Sequence, residues 1–156
     1  MISVNMIIFP SAVPFEQMLG SVSKTLEIRF CGVLKINNGL NRQYRIFDDS
    51  HQVTILLNLL SKKKVSFEQR RMSHFEKYIE TVICYNLASE YKGHIFDGLT
   101  QVNIEAEKID NFLSYLKFVF SKDSDSLKNV KRFYLNSMRN LPAHLKPLEG
   151  GLYSME

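Results

Sequence analysis

One stretch of the chain, Ser66 to Gly93, constrains the fold most, because it reads as a single long amphipathic helix. Ser66 can serve as N-cap, and Gln69 three residues later completes a Ser-x-x-Gln capping box. Gly93 lies where a left-handed residue would close the helix. Apolar residues recur between these ends at helical spacing, namely Met72, Phe75, Ile79, Val82, Ile83 and Leu87. An unbroken helix over 66–92 would rise roughly 39 Å, so we expect it to be the central element of the fold.

The segment before this helix predicts a second, shorter helix. Asp49 can act as N-cap with Gln52 at the third helical position, which is another capping box. The apolar residues that follow, Val53, Leu56, Leu57 and Leu60, have helical spacing. Lys62, Lys63 and Lys64 come next, and cations suit the negative end of a helix dipole. The two predicted helices together would form a helix–turn–helix unit.

The N-terminal part of the chain predicts strands. Residues 2–9 are apolar and β-branched, and residues 26–36 alternate between apolar and polar side chains. The sequence Asn37-Asn38-Gly39 is a strong turn signal, followed by a return strand over 40–47. A three-residue loop would keep the apolar side chains of this hairpin on one face, so we expect Ile36 to pair with Leu40.

The C-terminal third predicts two further helices. Asn103 can cap the first, whose apolar stripe is Ile109, Phe112, Leu113, Leu116 and Phe120. A last helix would start near Ser124 or Asp125 and stop at Pro142. The remaining residues have two prolines, a glycine pair and no periodicity, which favours a flexible tail over 142–156.

These elements predict an α+β fold dominated by helix, in which the N-terminal strand and the β-hairpin pack on about four helices. With 156 residues, of which 45% are hydrophobic, residues 1–141 suit one globular domain with its own core. No apolar run approaches the ~18 residues that a membrane span needs. The two cysteines, Cys31 and Cys84, do not make a disulfide framework, so a reducing cytoplasmic location is expected.

Basic residues gather around the start of the long helix. They are Lys62, Lys63, Lys64, Arg70, Arg71, His74 and Lys77. On a second helix of a helix–turn–helix unit, such residues could contact phosphates while the helix enters a groove. Glu76 and Glu80 oppose this reading, because carboxylates beside them would repel phosphate. A net charge of +4 permits a polyanionic partner without requiring one. The same surface could equally meet another protein.

The helix predicted after residue 103 carries more apolar surface than one buried stripe requires. Tyr115 and Phe118 widen its apolar arc beyond the stripe. Exposed apolar patches of this kind mark partner sites when nothing in the same chain covers them. Tyr115 and Phe118 are therefore the predicted apolar contact residues.

No residue pattern indicates catalysis, a metal or a cofactor. Glu76 and Glu80 share a helix face, but no histidine accompanies them at ligand spacing. Cys84 has no neighbouring cation in the sequence to activate its thiol. The lead hypothesis is a small non-enzymatic binding protein, an adaptor or regulator that works through protein–protein contacts. The alternative is a winged-helix-like DNA-binding regulator, and an enzyme of unknown class is third.

Overall fold

The computed structural model describes residues 4–14, 17–18, 20–21, 30–38, 41–48, 53–67, 73–98, 100, 102–122, 128, 131–132, 135, 146–148 and 152–154. The strands within this part are β1 Val4–Ile8, β2 Phe30–Asn38, β3 Asn41–Asp48, β4 Val53–Ser61, β5 Lys64–Phe67, β6 His94–Asp97, β7 Lys146–Leu148 and β8 Leu152–Ser154. Two helices are described along their whole length, α1 His74–Glu90 and α2 Ala106–Phe120.

The strands form one sheet in the order β6-β1-β5-β4-β3-β2-β8-β7. Neighbouring strands are antiparallel, apart from β2 and β8, which are parallel. β4 and β5 are joined by a tight turn at Lys62 and Lys63, with Ser61 paired with Lys64. β1 lies between β5 and β6, so the N-terminal strand is internal to the sheet.

The outer edge of β6 is occupied by the segment that leads into α2. Asp97 donates its backbone N–H to the carbonyl oxygen of Val102 at 2.9 Å, and Ile104 donates to Ile95 at 2.8 Å. Phe96 and Asn103 form an antiparallel bridge between these bonds. The Asp97 N–H and the Ile95 carbonyl, two backbone groups on this strand edge, are therefore paired inside the chain.

The core lies where α1 packs on the sheet, and α2 packs antiparallel against α1. Helix α1 contributes Ile79, Ile83, Cys84 and Leu87, and α2 contributes Ile109, Phe112 and Leu116. The sheet contributes Ile7, Phe9, Leu57, Val65 and Phe67. Met6 and Leu56 alternate with these residues along their strands and are also buried, so this region of the sheet is covered on both faces.

The prediction of one long central helix over 66–92 is wrong. Residues 64–67 form β5, and the helix begins only after Ser73. Val65 and Phe67 are both buried with a half-buried residue between them, which is the period of a strand. The sequence contains a second capping box seven residues after the first, and this one starts the helix: Ser73 Oγ accepts from the N–H of Glu76 at 3.1 Å.

The predicted helix at 49–60 is also wrong, because residues 53–61 form β4, and no helix–turn–helix unit forms there. Leu56 and Leu57 are adjacent and both buried, which a strand allows only when both of its faces are covered. Because β4 has apolar residues on both faces, its sequence does not alternate between apolar and polar residues as a half-buried strand does. The apolar positions instead fit the three- and four-residue spacing of a helix. The prediction of about four helices around one long central helix is therefore wrong: the described residues form one eight-stranded sheet and two complete helices.

The hairpin of β2 and β3 is present, but its register differs from the expectation. Asn38 pairs with Asn41 and Ile36 pairs with Gln43, so Gly39 and Leu40 separate the strands. The prediction treated the hairpin as an isolated ribbon with one apolar face. In the sheet, β3 also pairs with β4, with Tyr44 opposite Leu57, so its register must satisfy two neighbours.

The C-terminal predictions meet the structure in part. The helix expected after Asn103 is α2, but its N-cap is Glu105 and not Asn103, and the Glu105 side chain makes no capping hydrogen bond. Most of the helix expected from residue 124 lies outside the described residues. Within the predicted flexible tail, residues 146–148 and 152–154 form β7 and β8, and β8 pairs with β2. In the described part of the chain, no helix has both the length and the apolar character that crossing a membrane requires.

Helix α1 ends against β1, and its last turn explains the glycine there. The left-handed conformation belongs to Lys92, with φ of 56°, and not to Gly93. Gly93 donates its N–H to the carbonyl oxygen of Ala88 at 2.8 Å, the 6→1 bond of a Schellman motif. A Cβ on Gly93 would lie 2.8 Å from Ile7 Cγ2 and 3.2 Å from the Ile8 carbonyl oxygen. Close packing on β1 therefore requires glycine at this position.

The two competing helix starts can be separated by stability measurements. We expect Ser73→Ala to lower the free energy of unfolding by about 1 to 2 kcal/mol, because it removes the N-cap acceptor. Ser66→Ala, on a half-buried strand position, should change it by less than about 0.5 kcal/mol. Urea unfolding of both variants gives the comparison. The opposite ranking would place the start of the helix at Ser66.

Candidate functional site

The predicted basic surface is divided between two ends of β1. Lys62 and Lys63 occupy the exposed β4–β5 turn, where their carbonyl oxygens accept backbone N–H groups from Val13 and Phe9, while Lys64 on β5 is half-buried. His74 and Lys77 lie in the first turn of α1, near the other end of β1. Since β1 has five residues and advances about 3.3 Å per residue, its two ends lie roughly 13 Å apart. Arg70 and Arg71 lie outside the described residues.

Lys77 is engaged within the fold. Its ammonium group donates to the carbonyl oxygen of Val4 at 3.2 Å and forms an ion pair with Glu80 Oε1, also at 3.2 Å. The Glu80 side chain is only 4% exposed and that of Lys77 is 19% exposed. Because the ammonium is directed towards a buried carboxylate, Lys77 joins α1 to β1 instead of facing a ligand.

The structure brings His74 next to the predicted apolar patch on α2. The His74 and Tyr115 rings meet edge to face with centroids 6.4 Å apart, and Tyr115 also stacks on Phe112 at 6.4 Å. One residue of the predicted basic surface, His74, therefore contacts the predicted apolar patch where the start of α1 passes the C-terminal half of α2. Phe112 is buried, so Tyr115 is supported from below while its own side chain stays 44% exposed.

Phe118 is the more exposed of the two predicted aromatic residues, at 60%. The Lys122 ammonium lies 4.0 Å from the centre of its ring, a cation–π contact. The inward residues of α2 fill the core, whereas Phe118 meets water across most of its ring. Burying an aromatic ring is more favourable than burying a polar side chain of similar size. An exposed Phe118 is therefore the least expected residue on the surface of α2.

Phe118 and Tyr115 belong to a continuous exposed strip along α2. We call this strip the α2 outer face; it consists of Glu107, Asn111, Ser114, Tyr115, Phe118 and Lys122, all exposed. Residues three and four apart on a helix lie on one side, so these positions form a line on the side opposite the buried Ile109, Phe112 and Leu116. The strip is acidic at its N-terminal end, aromatic past its middle and basic at its C-terminal end.

The described residues show no arrangement that suits catalysis. Burial, reinforced by the nearby Glu80 carboxylate, raises the pKa of the Cys84 thiol far above its ordinary value, and Lys77 offsets only part of this. The thiol therefore stays protonated, whereas a nucleophilic cysteine needs a stabilised thiolate. Glu76 takes part in the α1 capping box and Glu80 in the ion pair. No group of three or more His, Cys, Asp or Glu side chains within the described part could hold a metal ion.

A cleft of about 280 Å³ lies between the C-terminal half of α1, strand β6 and the start of α2. Its polar lining includes Ser89, His94 and Glu105, and these side chains are exposed. Catalytic acids and bases work in sites that hold the substrate away from bulk water, whereas these three side chains are open to solvent. The cleft therefore gives less support to a function than the α2 outer face does.

Comparison of the chain with protein families, curated proteins and solved structures gives no match. Any proposal about the function of the chain therefore rests on its fold and its surface features. Tyr115 and Phe118 were predicted from the sequence as contact residues, whereas the residues that complete the same strip were not: Glu107, Asn111, Ser114 and Lys122. Their spacing of three and four residues was visible in the sequence, but only the packing of α2 shows which side is turned to water.

Proposed function

We propose that this chain is a non-enzymatic binding protein that works by contacting another protein, and that the α2 outer face is its contact surface. The observation that carries the proposal is the exposure of Phe118 and Tyr115 on a helix whose other large apolar residues are buried or half-buried. Aromatic residues on a firm support are the usual anchors of protein interfaces, because they bury a large area with few rotatable bonds. Tyr115 has such support from Phe112 and His74.

The exposed aromatic area is large enough to matter in binding. Taking roughly 200 Å² per fully exposed ring residue, the exposed parts of Phe118 and Tyr115 together come to roughly 200 Å². At about 25 cal/mol per Å², covering this area would contribute at most about 5 kcal/mol. That contribution offsets part of the cost of association, so these rings can anchor a complex whose polar rim supplies the remainder.

We place this function in the cytoplasm. Cys84 is a free, buried thiol, and a chain with two cysteines suits a reducing compartment. The DNA-binding alternative required a helix at residues 49–60, where the structure has β4. It also required Lys77 to face outwards, and Lys77 is paired with Glu80. A protein partner is therefore the better supported proposal.

A photo-crosslinking amino acid at position 118 tests this function. We expect benzoylphenylalanine there to form a discrete adduct with a protein in cells that naturally produce the chain, because the ring would lie in the interface. The same probe at Lys62, another exposed position, in the β4–β5 turn, is the matched control and should give no adduct. Adding Tyr115→Asp should lower the adduct yield about tenfold, as expected for losing roughly 1.4 kcal/mol of contact.

The outcomes of this experiment distinguish binding at the α2 outer face from binding elsewhere. An adduct at position 118 that Tyr115→Asp suppresses supports a protein-binding α2 outer face. Adducts from position 62 alone would move the binding surface to the β4–β5 turn and contradict the proposal. Intact protein without adducts from position 118 would also contradict it. Because Phe118 is largely exposed, the probe should leave the unfolding midpoint unchanged, which separates lost binding from lost folding.

A further inference from the structure

We infer that the α2 outer face binds the α2 outer face of a second copy of this chain, with the two helices antiparallel. The inference rests on the proposed function, since it names the partner for the same surface. A second copy is favoured as the partner because of how charge is distributed along α2.

The exposed charges of α2 change sign along its length. Glu107 and Asp110 lie in the N-terminal half. Lys117 lies in the last turn, and Lys122 follows the end of the helix. This order also suits the helix dipole, which favours acids near the first turn and bases near the last. A surface with acid at one end and base at the other is complementary to its own copy turned end for end.

A two-fold axis between residues 114 and 115 gives each charged end an opposite partner. Glu107 then faces Lys122 of the second copy, and Phe118 faces Asn111 of the second copy. Lys108, the exception to the charge order, falls opposite Ser121 of the second copy, which is neutral. In a parallel arrangement Glu107 would face Glu107 and Lys122 would face Lys122, so like charges would oppose that geometry.

The side chains near the axis permit close approach. Ser114 is small and lies next to the axis, and helices pack 8–10 Å apart only where the side chains between them allow it. Tyr115 and Phe118 both lie on the C-terminal side of this point. In the antiparallel dimer the rings of the two copies therefore lie on opposite sides of the axis, where each pair would cover the helix of the other copy. Each ring then loses contact with water, which is the favourable contribution that the exposed strip lacks in a single chain.

The contact is small, so we expect a weak and reversible dimer. Helix α2 has 15 residues, and one helix pair of this length lies at the low end of specific interfaces. A dissociation constant on the order of 10 to 100 µM is consistent with an interface of this size. The oligomeric state should therefore change with protein concentration.

Charge reversal combined with mixing tests the antiparallel contact. Sedimentation velocity of the purified chain from about 1 µM to 1 mM should show a monomer–dimer equilibrium. Glu107→Lys and Lys122→Glu each place two like-charged pairs across the interface, so each variant alone should dimerise at least about tenfold more weakly. An equimolar mixture should regain wild-type affinity, because both pairs are then opposite in charge. The double variant should regain it as well. Lys92→Glu, an exposed charge reversal at the end of α1, is the control for net charge and should behave as wild type.

The outcomes separate this inference from the proposed function. A chain that stays monomeric up to 1 mM overturns self-association, while a Phe118 adduct with a different protein would still support the proposed function. Dimerisation that neither charge reversal weakens, or that mixing does not restore, overturns the antiparallel α2 contact. Weakening by each reversal and recovery in the mixture supports it, since an effect on folding alone would not be cancelled by a second misfolded variant.

Discussion

Replacing Phe67 with alanine is expected to lower the free energy of unfolding by about 3 to 5 kcal/mol, the cost of removing a buried aromatic ring from a packed core. Phe67 is only 1% exposed and is paired with Leu57 of β4. Its ring belongs to the buried cluster that α1 helps to form, so alanine would leave a cavity lined by apolar side chains. The substitution therefore combines lost burial with an unfilled space.

Phe118→Ala is the matched control for this substitution, because it removes the same ring from a mostly exposed position. We expect it to change the free energy of unfolding by about 0.5 kcal/mol or less. Urea or guanidinium unfolding of both variants gives the two values. If Phe67→Ala cost less than about 1 kcal/mol, residue 67 would belong to the exposed first turn of a helix and the position of β5 would be wrong.

Lys77→Met is expected to lower the free energy of unfolding by about 2 to 3 kcal/mol at neutral pH. Removing one partner of a buried ion pair costs about 3 to 5 kcal/mol, and the partial exposure of Lys77 reduces this. Methionine keeps most of the side-chain volume, so the loss reports the ammonium and its bonds to Glu80 and to the Val4 carbonyl. An external phosphate-binding lysine would cost almost nothing to remove.

The pH dependence checks the electrostatic origin of this effect. As pH falls from 7 to 4, the difference between wild type and Lys77→Met should narrow, because a buried carboxylate without its cation takes up a proton more readily than one paired with Lys77. Unfolding at pH 7 and at pH 4 gives the comparison, with Lys92→Met as the control for removing an exposed ammonium. A difference that stays constant with pH would show that Lys77 acts through packing alone.

The region from 53 to 67 shows why local patterns failed here. The apolar positions 53, 56, 57 and 60 fit a helix as well as they fit a strand that is covered on both faces. What decides between these is pairing with distant residues, such as Ile7 with Val65 and Tyr44 with Leu57. Strand formation depends on such neighbours more than on intrinsic preference, and a single sequence does not display them.

The prediction of where α1 starts was wrong for a different reason. Ser66-x-x-Gln69 and Ser73-x-x-Glu76 both match a capping box, so the motif could not choose between them. The choice follows from Phe67, which the sheet buries in β5. Helix α2 was easier to predict because its buried and exposed sides alternate with a clear helical period and no competing strand pattern.

The candidate surface was predictable to the extent that it lies on one helix. Tyr115 and Phe118 were expected to be apolar residues outside the buried stripe, and both are exposed. Their role in binding remains a prediction. The bond between Lys77 and Val4 joins residues 73 positions apart, and no spacing rule reveals such a contact. The basic residues are close in the sequence, but β5 lies between Lys63 and His74 and places them at different ends of β1.

The sealed outer edge of β6 has a consequence for how copies of this chain can assemble. An open strand edge invites another strand to continue the sheet, which is how folded proteins grow into filaments. Here the backbone bonds to Val102 and Ile104 already use the edge, and the same segment turns directly into α2. Strand addition at β6 would first have to peel this segment away and displace the start of the helix. On this side of the molecule, the covering segment acts as a barrier to polymerisation.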